Sequence, residues 1–482
     1  MRPLTKILDP IKILGSKIPD VLFKGISTNS KNVNKGDLFI AIKGEKYDGH
    51  DYIKEAIDYG AVAIITNQYD IIKCSVPQIK VLNTRKALSI IASEYYGNPS
   101  KNLTVIGITG TNGKTTTASI IKSILEQANI KVAQFGTLGL IANEINHQAT
   151  LTTPDALLLQ KLFADLLKAN FSHVVMEVSS HALDQSRVDN IDFDLAVFTN
   201  ITPEHLDYHK SFKSYCLTKL KLFKMLKNNA ISIINVSDPF GEKLLSILES
   251  STIPFSNDKS NTIHFKSLNI SINGISGVIN TENFNYKIKS NLIGKFNSEN
   301  ILAAVGVSKA LGLNQNSIET GIAKCAIIPG RMEVHHLKNQ IKAIIDYAHT
   351  PDSYKKVMET LKKLQHNDGG DLYVVFGAGG DRDKEKRPKM AQIVEEYAKH
   401  IYITPDNPRF EKQSDINNQI ISGFKADKFS IYKNREEGLE TALKKAKRND
   451  IVAILGKGRE NYQDILGQKI PYSDLKVIRR FN

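Results

Sequence analysis

Cysteine is scarce in this chain. Only Cys74, Cys216 and Cys325 occur in 482 residues, far apart and without CxxC spacing. That excludes a disulfide framework or a thiolate metal centre and fits a reducing compartment. Long apolar runs are also missing: nothing reaches the roughly 18 residues a membrane helix needs, and residues 1–15 lack an apolar stretch with a small-residue cleavage site. A soluble cytoplasmic protein is the expectation. There is no monotonous polar tract and no short-period repeat; with 41% hydrophobic and 24% charged residues, the chain should fold throughout. Acidic residues are outnumbered, leaving a net charge of +14. The basic clusters (384–389 and 444–448) are short and read as solvated helix faces, so no nucleic-acid partner is expected. Polyanionic small substrates suit this charge equally well.

The length calls for more than one core, and three domains fit the pattern best. In 1–100, strands are expected at 37–42 and 61–66 with helices at 52–59 and 85–96, the last stopping at Gly97-Asn98-Pro99. In 101–330, an apolar strand at 103–108 runs into a glycine loop and a helix at 116–129. Strands at 173–178, 195–199 and 230–235 and a helix at 298–311 follow, the alternation of a parallel α/β sheet. In 331–482, strands at 343–346, 372–376, 400–404 and 451–455 alternate with helices starting near Ser353, Arg387, Asp415 and Arg435, predicting a second open parallel sheet.

The loop Gly110-Thr111-Asn112-Gly113-Lys114-Thr115-Thr116 joins a strand to a helix. Backbone N–H groups there can cradle phosphates, Lys114 can reach the β and γ phosphates, and Thr115 can offer a hydroxyl to Mg²⁺. The spacing departs from the general G-x-x-x-x-G-K-[ST] form, because Ile108 stands five before Gly113. The exact string from Gly107 to Thr116 resembles the Mur ligase family more than other phosphate-loop groups. Five further runs of that family follow in order: Glu177-Val178-Ser179-Ser180-His181, the segment Thr199 to His209, Gly330-Arg331-Met332-Glu333, Asp346-Tyr347-Ala348-His349-Thr350-Pro351-Asp352, and Gly456-Lys457-Gly458.

The resemblance implies an α/β protein of three domains: an N-terminal mixed α/β uridine-site domain, a central phosphate-loop ATPase domain with a parallel sheet, and a C-terminal Rossmann-like domain. It implies that Glu177 and His205 are magnesium ligands and that Lys219 is carboxylated by CO₂ to a carbamate, which turns a cation into an anionic oxygen ligand beside Mg²⁺. It implies ATP contacts at Asn297, Arg331 and Asp346. On residue type alone these positions have plainer readings. Glu177 is equally a solvated or capping carboxylate, His205 a structural histidine, and Lys219 a surface lysine among Lys213, Lys221 and Lys224. Arg331 would be an interdomain salt bridge, and Asn297 the N-cap of the next helix.

The run Asp406-Asn407-Pro408-Arg409 matches the family form that adds meso-diaminopimelate rather than L-lysine. An Arg fork suits the distal carboxylate that lysine lacks, and three turn formers in a row read as a β-turn. Arg382 is the implied second clamp, with Gly456 and Glu460 at the ammonium end. One departure is Arg459 where the family usually has His. Thr28 and Ser30 resemble the uridine-side loop, with Glu45-Lys46-Tyr47 as its poorly matched partner. Thr152, Thr153, Ser179, Gln185 and Arg187 match muramoyl-peptide contacts.

The implied reaction joins meso-diaminopimelate to UDP-N-acetylmuramoyl-L-alanyl-D-glutamate at the expense of ATP, through an acyl phosphate, in peptidoglycan precursor synthesis. A monomer using Mg²⁺ is expected, with Lys114, Lys219 and His205 as the catalytic group. Four alternatives stand beside it: the same ligase adding L-lysine, a ligase of the folylpolyglutamate-synthase type, a nucleic-acid-stimulated ATPase, and an inactive scaffold.

Overall fold

The inner strands of the central sheet bury apolar side chains on both faces, and the structure shows why. In the strand Thr104–Thr109, Val105 joins one core cluster while Ile106 and Ile108 join the opposite one, because successive side chains point to opposite faces of a sheet covered by helices on both sides. This is a computed structural model of residues 1–482. It describes all of them except 12, 15–17, 45–46, 69–74, 143–144, 149–150, 259–261 and 482, and the side chains of 366–368. Glu45, Lys46 and Cys74 therefore lie outside the described residues. Cys216 and Cys325 are free and buried, and no described helix is long and apolar enough to cross a membrane.

Near the N-terminus, Ile26–Ser27, Leu38–Ile40, Ala63–Thr66 and Gln78–Lys80 form a four-stranded parallel sheet. The helix Thr84–Tyr96 ends on Gly97 in the left-handed region at φ +81°, the conformation glycine adopts without steric cost.

The eight-stranded central sheet places Thr104–Thr109 between His173–Glu177 and Phe193–Phe198. The chain turns both ways from this first strand, which opens a crevice at the carboxyl ends. Six strands are parallel; Gly139–Ile141 and Asn146–His147 extend one edge as antiparallel additions. A meander of His264–Ser271, Gly274–Asn280 and Asn285–Ser290, unforeseen in the sequence, packs its Ile275, Ile279 and Ile288 into the core shared with the helix Lys114–Gln127.

The second large sheet has six strands: the expected open parallel sheet with one antiparallel edge strand added. Its edge strand Glu333–His336 runs antiparallel to Lys342–Asp346. Only five residues separate them, too few for the crossover a parallel pair requires. The strands Lys342–Asp346, Ile451–Leu455, Leu372–Phe376, His400–Ile403 and Phe429–Ile431 are parallel.

Two buried arginines fix the loops at the carboxyl edge of this sheet. Arg435 and Asp474, both 0% exposed, make a bidentate pair at 2.8 and 2.9 Å, and Arg435 also donates to Thr404 Oγ1 and the Leu455 carbonyl. Thr404 and Leu455 are where the loops carrying Asp406 and Gly456 begin. Arg387, inside a basic cluster read as solvated, is instead fully buried. It forks onto Glu411 at 2.9 and 3.0 Å and holds the Gly379 carbonyl. Removing one member of a buried pair strands the other charge. Asp474→Ala is therefore expected to cost about 3–5 kcal/mol and to lower the calorimetric transition of this unit by roughly 10 °C; an unchanged transition would refute the assignment.

Candidate active site

The carboxyl edges of the two large sheets face a common cleft with a cavity volume of about 660 Å³, within the roughly 300–1,000 Å³ of small-molecule sites. Thr111 to Thr115, Thr152, Glu177, Ser179 and His205 line it from the central sheet, and Arg331, Arg382, Asp406, Asn407, Arg409, Gly456 and Glu460 from the other side. An adjoining pocket is lined by Asn112, Gly113, Thr115, Thr116, Arg331 and Asp346, together with Phe296, Glu299 and Asn300.

The glycine loop is held from beneath. Thr111 N donates to Asn200 O and Asn112 N to Asn200 Oδ1. Gly110 has φ +153°, and a Cβ there would lie 1.9 Å from Thr199 Oγ1, so only glycine fits. Lys114 Nζ folds back onto the carbonyls of Gly110 and Thr111 at 2.8 Å each. Lys219, expected on residue type to be a surface lysine, is 2% exposed, and its Nζ donates to the same Gly110 carbonyl at 2.9 Å. The helix Phe212–Leu220 turns it inward over the Tyr215 ring. Burial, reinforced by the neighbouring Lys114 charge, pushes the Lys219 ammonium well below its ordinary range; burial lowers Lys114 as well.

Glu177 closes the strand His173–Glu177 and is buried, accepting from Thr137 N at 2.9 Å and Thr137 Oγ1 at 3.3 Å. It is neither a solvated nor a capping carboxylate. His205 sits in the left-handed region at φ 55°, an uncommon conformation for a non-glycine residue that is concentrated at functional sites. Burial, joined by the charges of His181, His349 and Lys219, pulls its imidazole down to about 4 despite the opposing Glu204, leaving a neutral ring able to ligate a metal. Among the described residues no group of three His, Cys, Asp or Glu is placed to hold a metal ion.

Asn297 does not cap its helix, contrary to the plain reading: Lys295–Ala310 starts earlier, with Gly294 at the N-cap. Asn297 instead donates to Ile293 O at 2.7 Å and accepts from Asn300 at 2.8 Å, buried beside the adjoining pocket. Arg331 forms no ion pair with a carboxylate among the described residues; its Nη2 donates to Thr115 Oγ1 at 3.1 Å. Asp346 receives Met332 N and Ala348 N, both at 2.8 Å, and burial raises its carboxyl despite Arg331.

Asp406 to Arg409 is not the expected β-turn. Arg409 pairs with the hairpin beyond it, its N–H on Asp464 O and its carbonyl accepting from Leu466; the turn falls later, where Glu411 N reaches Pro408 O. Arg409 Nη1 donates to Gly380 O at 2.6 Å, which fixes its fork beside the exposed Arg382. Asn407 Nδ2 and Lys457 Nζ hold Glu460 Oε2 at 2.8 and 3.0 Å.

Thr153, Gln185 and Arg187 form a connected cluster just off the cleft: Arg187 donates to Thr153 O and Gln185 Oε1, and Thr153 Oγ1 to Glu177 O. Thr28, exposed, and Ser30, buried, lie at the carboxyl end of Ile26–Ser27 and do not line the cleft. Arg85 links the two regions, reaching Gln185 Oε1 at 3.4 Å and Lys43 O at 2.9 Å.

Sequence reasoning missed several cleft residues. Glu204 accepts from His349 at 3.1 Å, and Asn112 donates to Asp352 at 3.1 Å, so the two sides are clasped together. Glu204, Tyr347, His349 and Asp352 all fall within runs already singled out, which was the available signal. Lys386, which also lines the cleft, lies in the basic cluster 384–389 that read as a solvated helix face.

Three family models match: the Mur ligase middle domain over 108–308, the Mur ligase glutamate ligase domain over 330–458, and the Mur ligase family catalytic domain over 22–96. The UDP-N-acetylmuramoyl-L-alanyl-D-glutamate–2,6-diaminopimelate ligase of Aquifex aeolicus is 41% identical over 95% of this chain and 93% of its own. That of Clostridium tetani is 37% identical over 95% of each. A solved structure of a ligase of the same name aligns over 99% of this chain and 98% of its own, at a TM-score of 0.69 and 28% identity. A Mycobacterium tuberculosis folylpolyglutamate synthase complexed with ADP shares the fold over 78% of this chain and 91% of its own, at a TM-score of 0.65 and 17% identity.

Proposed function

Because this chain belongs to the Mur ligase family, we propose that it uses ATP to join meso-diaminopimelate to UDP-N-acetylmuramoyl-L-alanyl-D-glutamate. The observation that carries this reading is the single cleft that sets a phosphate loop opposite a fixed arginine fork. Near-full-length similarity to ligases of that name supports it. A folylpolyglutamate synthase accounts for less of the chain.

Lys114 and the loop N–H groups receive the β and γ phosphates, with Arg331 reaching them from across the cleft. Asn297 and Asp346 serve the nucleoside side. Thr28 and Ser30 take the uridine end of the second substrate, and Thr152, Thr153, Ser179, Gln185 and Arg187 its muramoyl-peptide. Thr115, Glu177, His205 and the Lys219 carbamate would hold Mg²⁺, whose charge neutralises phosphate and carboxylate oxygens when bound. The donor chemistry fits: a buried carboxylate, a neutral imidazole, and an amine whose burial disfavours the charged form, the uncharged form being the one that combines with CO₂.

A D-glutamate carboxylate oxygen attacks the γ-phosphorus, the bond to the β-phosphate oxygen breaks and ADP leaves. The amine of diaminopimelate then adds to the acyl carbon, and the tetrahedral intermediate expels phosphate. Arg409 and Arg382 hold the distal carboxylate, while Asp406, Asn407, Gly456 and Glu460 orient the distal ammonium. Closure of the two sides over bound substrates would exclude the water that hydrolyses an acyl phosphate.

With ATP, Mg²⁺ and the UDP-dipeptide but no amine, hydroxylamine should trap a hydroxamate of the UDP-dipeptide with matching ADP release. No trapped product in the presence of amine-dependent turnover would overturn the acyl-phosphate route.

A further inference from the structure

Tyr347 touches both halves of the cleft chemistry. Its ring lies under Arg331, whose Cζ is 5.1 Å from the ring centroid, and Arg331 donates to Thr115 of the phosphate loop at 3.1 Å. The Tyr347 hydroxyl donates to Glu460 Oε1 at 3.1 Å, and the other Glu460 oxygen is held by Asn407 and Lys457. The backbone makes the same link, since Tyr347 N donates to Gly330 O at 2.9 Å.

A second tether runs beside the first. Arg459 Nε donates to Glu333 Oε2 at 2.8 Å, the same oxygen that receives Gly330 N. Gly330, at φ +70°, lies so close to the amine-side loop that a Cβ would meet Gly458 Cα at 3.0 Å. The segment presenting Arg331 and the segment presenting Glu460 are thus joined by one side chain that spans them and by one ion pair that fixes their spacing.

We propose that Tyr347 is a positioning residue that couples the nucleotide and amine sites, so that occupancy of either one orders the other. A triphosphate on the loop competes with Thr115 for the Arg331 guanidinium. Movement of that guanidinium bears on the ring stacked against it, and the hydroxyl of the ring sets the orientation of Glu460. Such coupling is reciprocal, because the two binding equilibria share one free-energy cycle. Arg459, the departure from the usual family residue, holds the loop at the distance over which Tyr347 can act.

This inference rests on the amine-site assignment above, and the test separates the two. Diaminopimelate is titrated calorimetrically into protein holding Mg²⁺ and the UDP-muramoyl dipeptide, with and without a non-hydrolysable ATP analogue. In the wild type the analogue should tighten diaminopimelate binding at least about fivefold. In Tyr347→Phe, which loses only the hydroxyl, that factor should fall to near one while analogue affinity alone stays within about threefold. Arg459→Ala should lower the factor and Arg459→Lys should partly restore it. Retention of the wild-type factor in Tyr347→Phe, or a factor of one in the wild type, overturns the coupling. Failure of diaminopimelate to bind the wild type in either state overturns the amine-site assignment beneath it.

Discussion

Lys219→Ala is expected to lower kcat by roughly 10³-fold, and added formate is expected to recover part of the loss. The argument starts from burial. A lysine that is 2% exposed, shares a carbonyl with Lys114 and has no carboxylate partner among the described residues is poorly placed as a cation. The energetic pressure on such a group is to lose its charge. Capture of CO₂ would relieve this, because a carbamate would carry negative charge toward Lys114 and toward any metal held by Glu177 and His205. Truncation to alanine removes the oxygen ligand and leaves space that a small carboxylate can enter. Steady-state rates across a formate titration measure the effect. Full activity of the unsupplemented variant would remove the carbamate, and loss without any rescue would assign Lys219 to holding Gly110 alone.

The second large effect is expected at the arginine fork. Arg409→Lys should reduce kcat/KM for diaminopimelate roughly 10²-fold, the consequence of losing about 3 kcal/mol from a fixed charge-assisted contact, with KM for ATP within about twofold of the wild type. Lysine keeps the charge but not the planar pair of donors, and it cannot hold Gly380 O and a substrate carboxylate together. The left-handed backbone of Arg409, φ 51°, aims the side chain, so the contact depends on the backbone around it. Arg382 is exposed and makes one long contact, to Asp381 O at 3.5 Å; its loss should cost less. Equal effects on ATP and amine kinetics would point to a general disturbance of the loop.

The long buried strands were legible because apolar runs between turn residues have few alternatives. Leu372–Phe376 and Ile451–Leu455 stand where the pattern put them. The meander at 264–290 was not legible: its strands mix Asn, Ser, Lys and Gly with isolated isoleucines, and only packing against the helices behind it selects the register. Within the site, the phosphate loop and the Asp406–Arg409 run could be read from residue order, while the burial of Lys219, Arg387 and Arg435 could not. A charged side chain is placed inside by partners remote in sequence, as Asp474 is for Arg435, and local pattern carries no trace of them. The plain reading of Asn297 as an N-cap failed for a related reason: its amide is used by Ile293 and Asn300, and Gly294 takes the N-cap position.

The central claim is that the phosphate loop activates a peptide carboxylate and the distant arginine fork selects the amine that takes it. Mass analysis of the product formed from ATP, Mg²⁺ and UDP-N-acetylmuramoyl-L-alanyl-D-glutamate, with equal diaminopimelate and L-lysine competing in one reaction, tests both halves together. A product heavier by one diaminopimelate residue, formed in step with phosphate release and with little lysine adduct, is the expected result. A dominant lysine adduct, or phosphate release without any adduct, would contradict it.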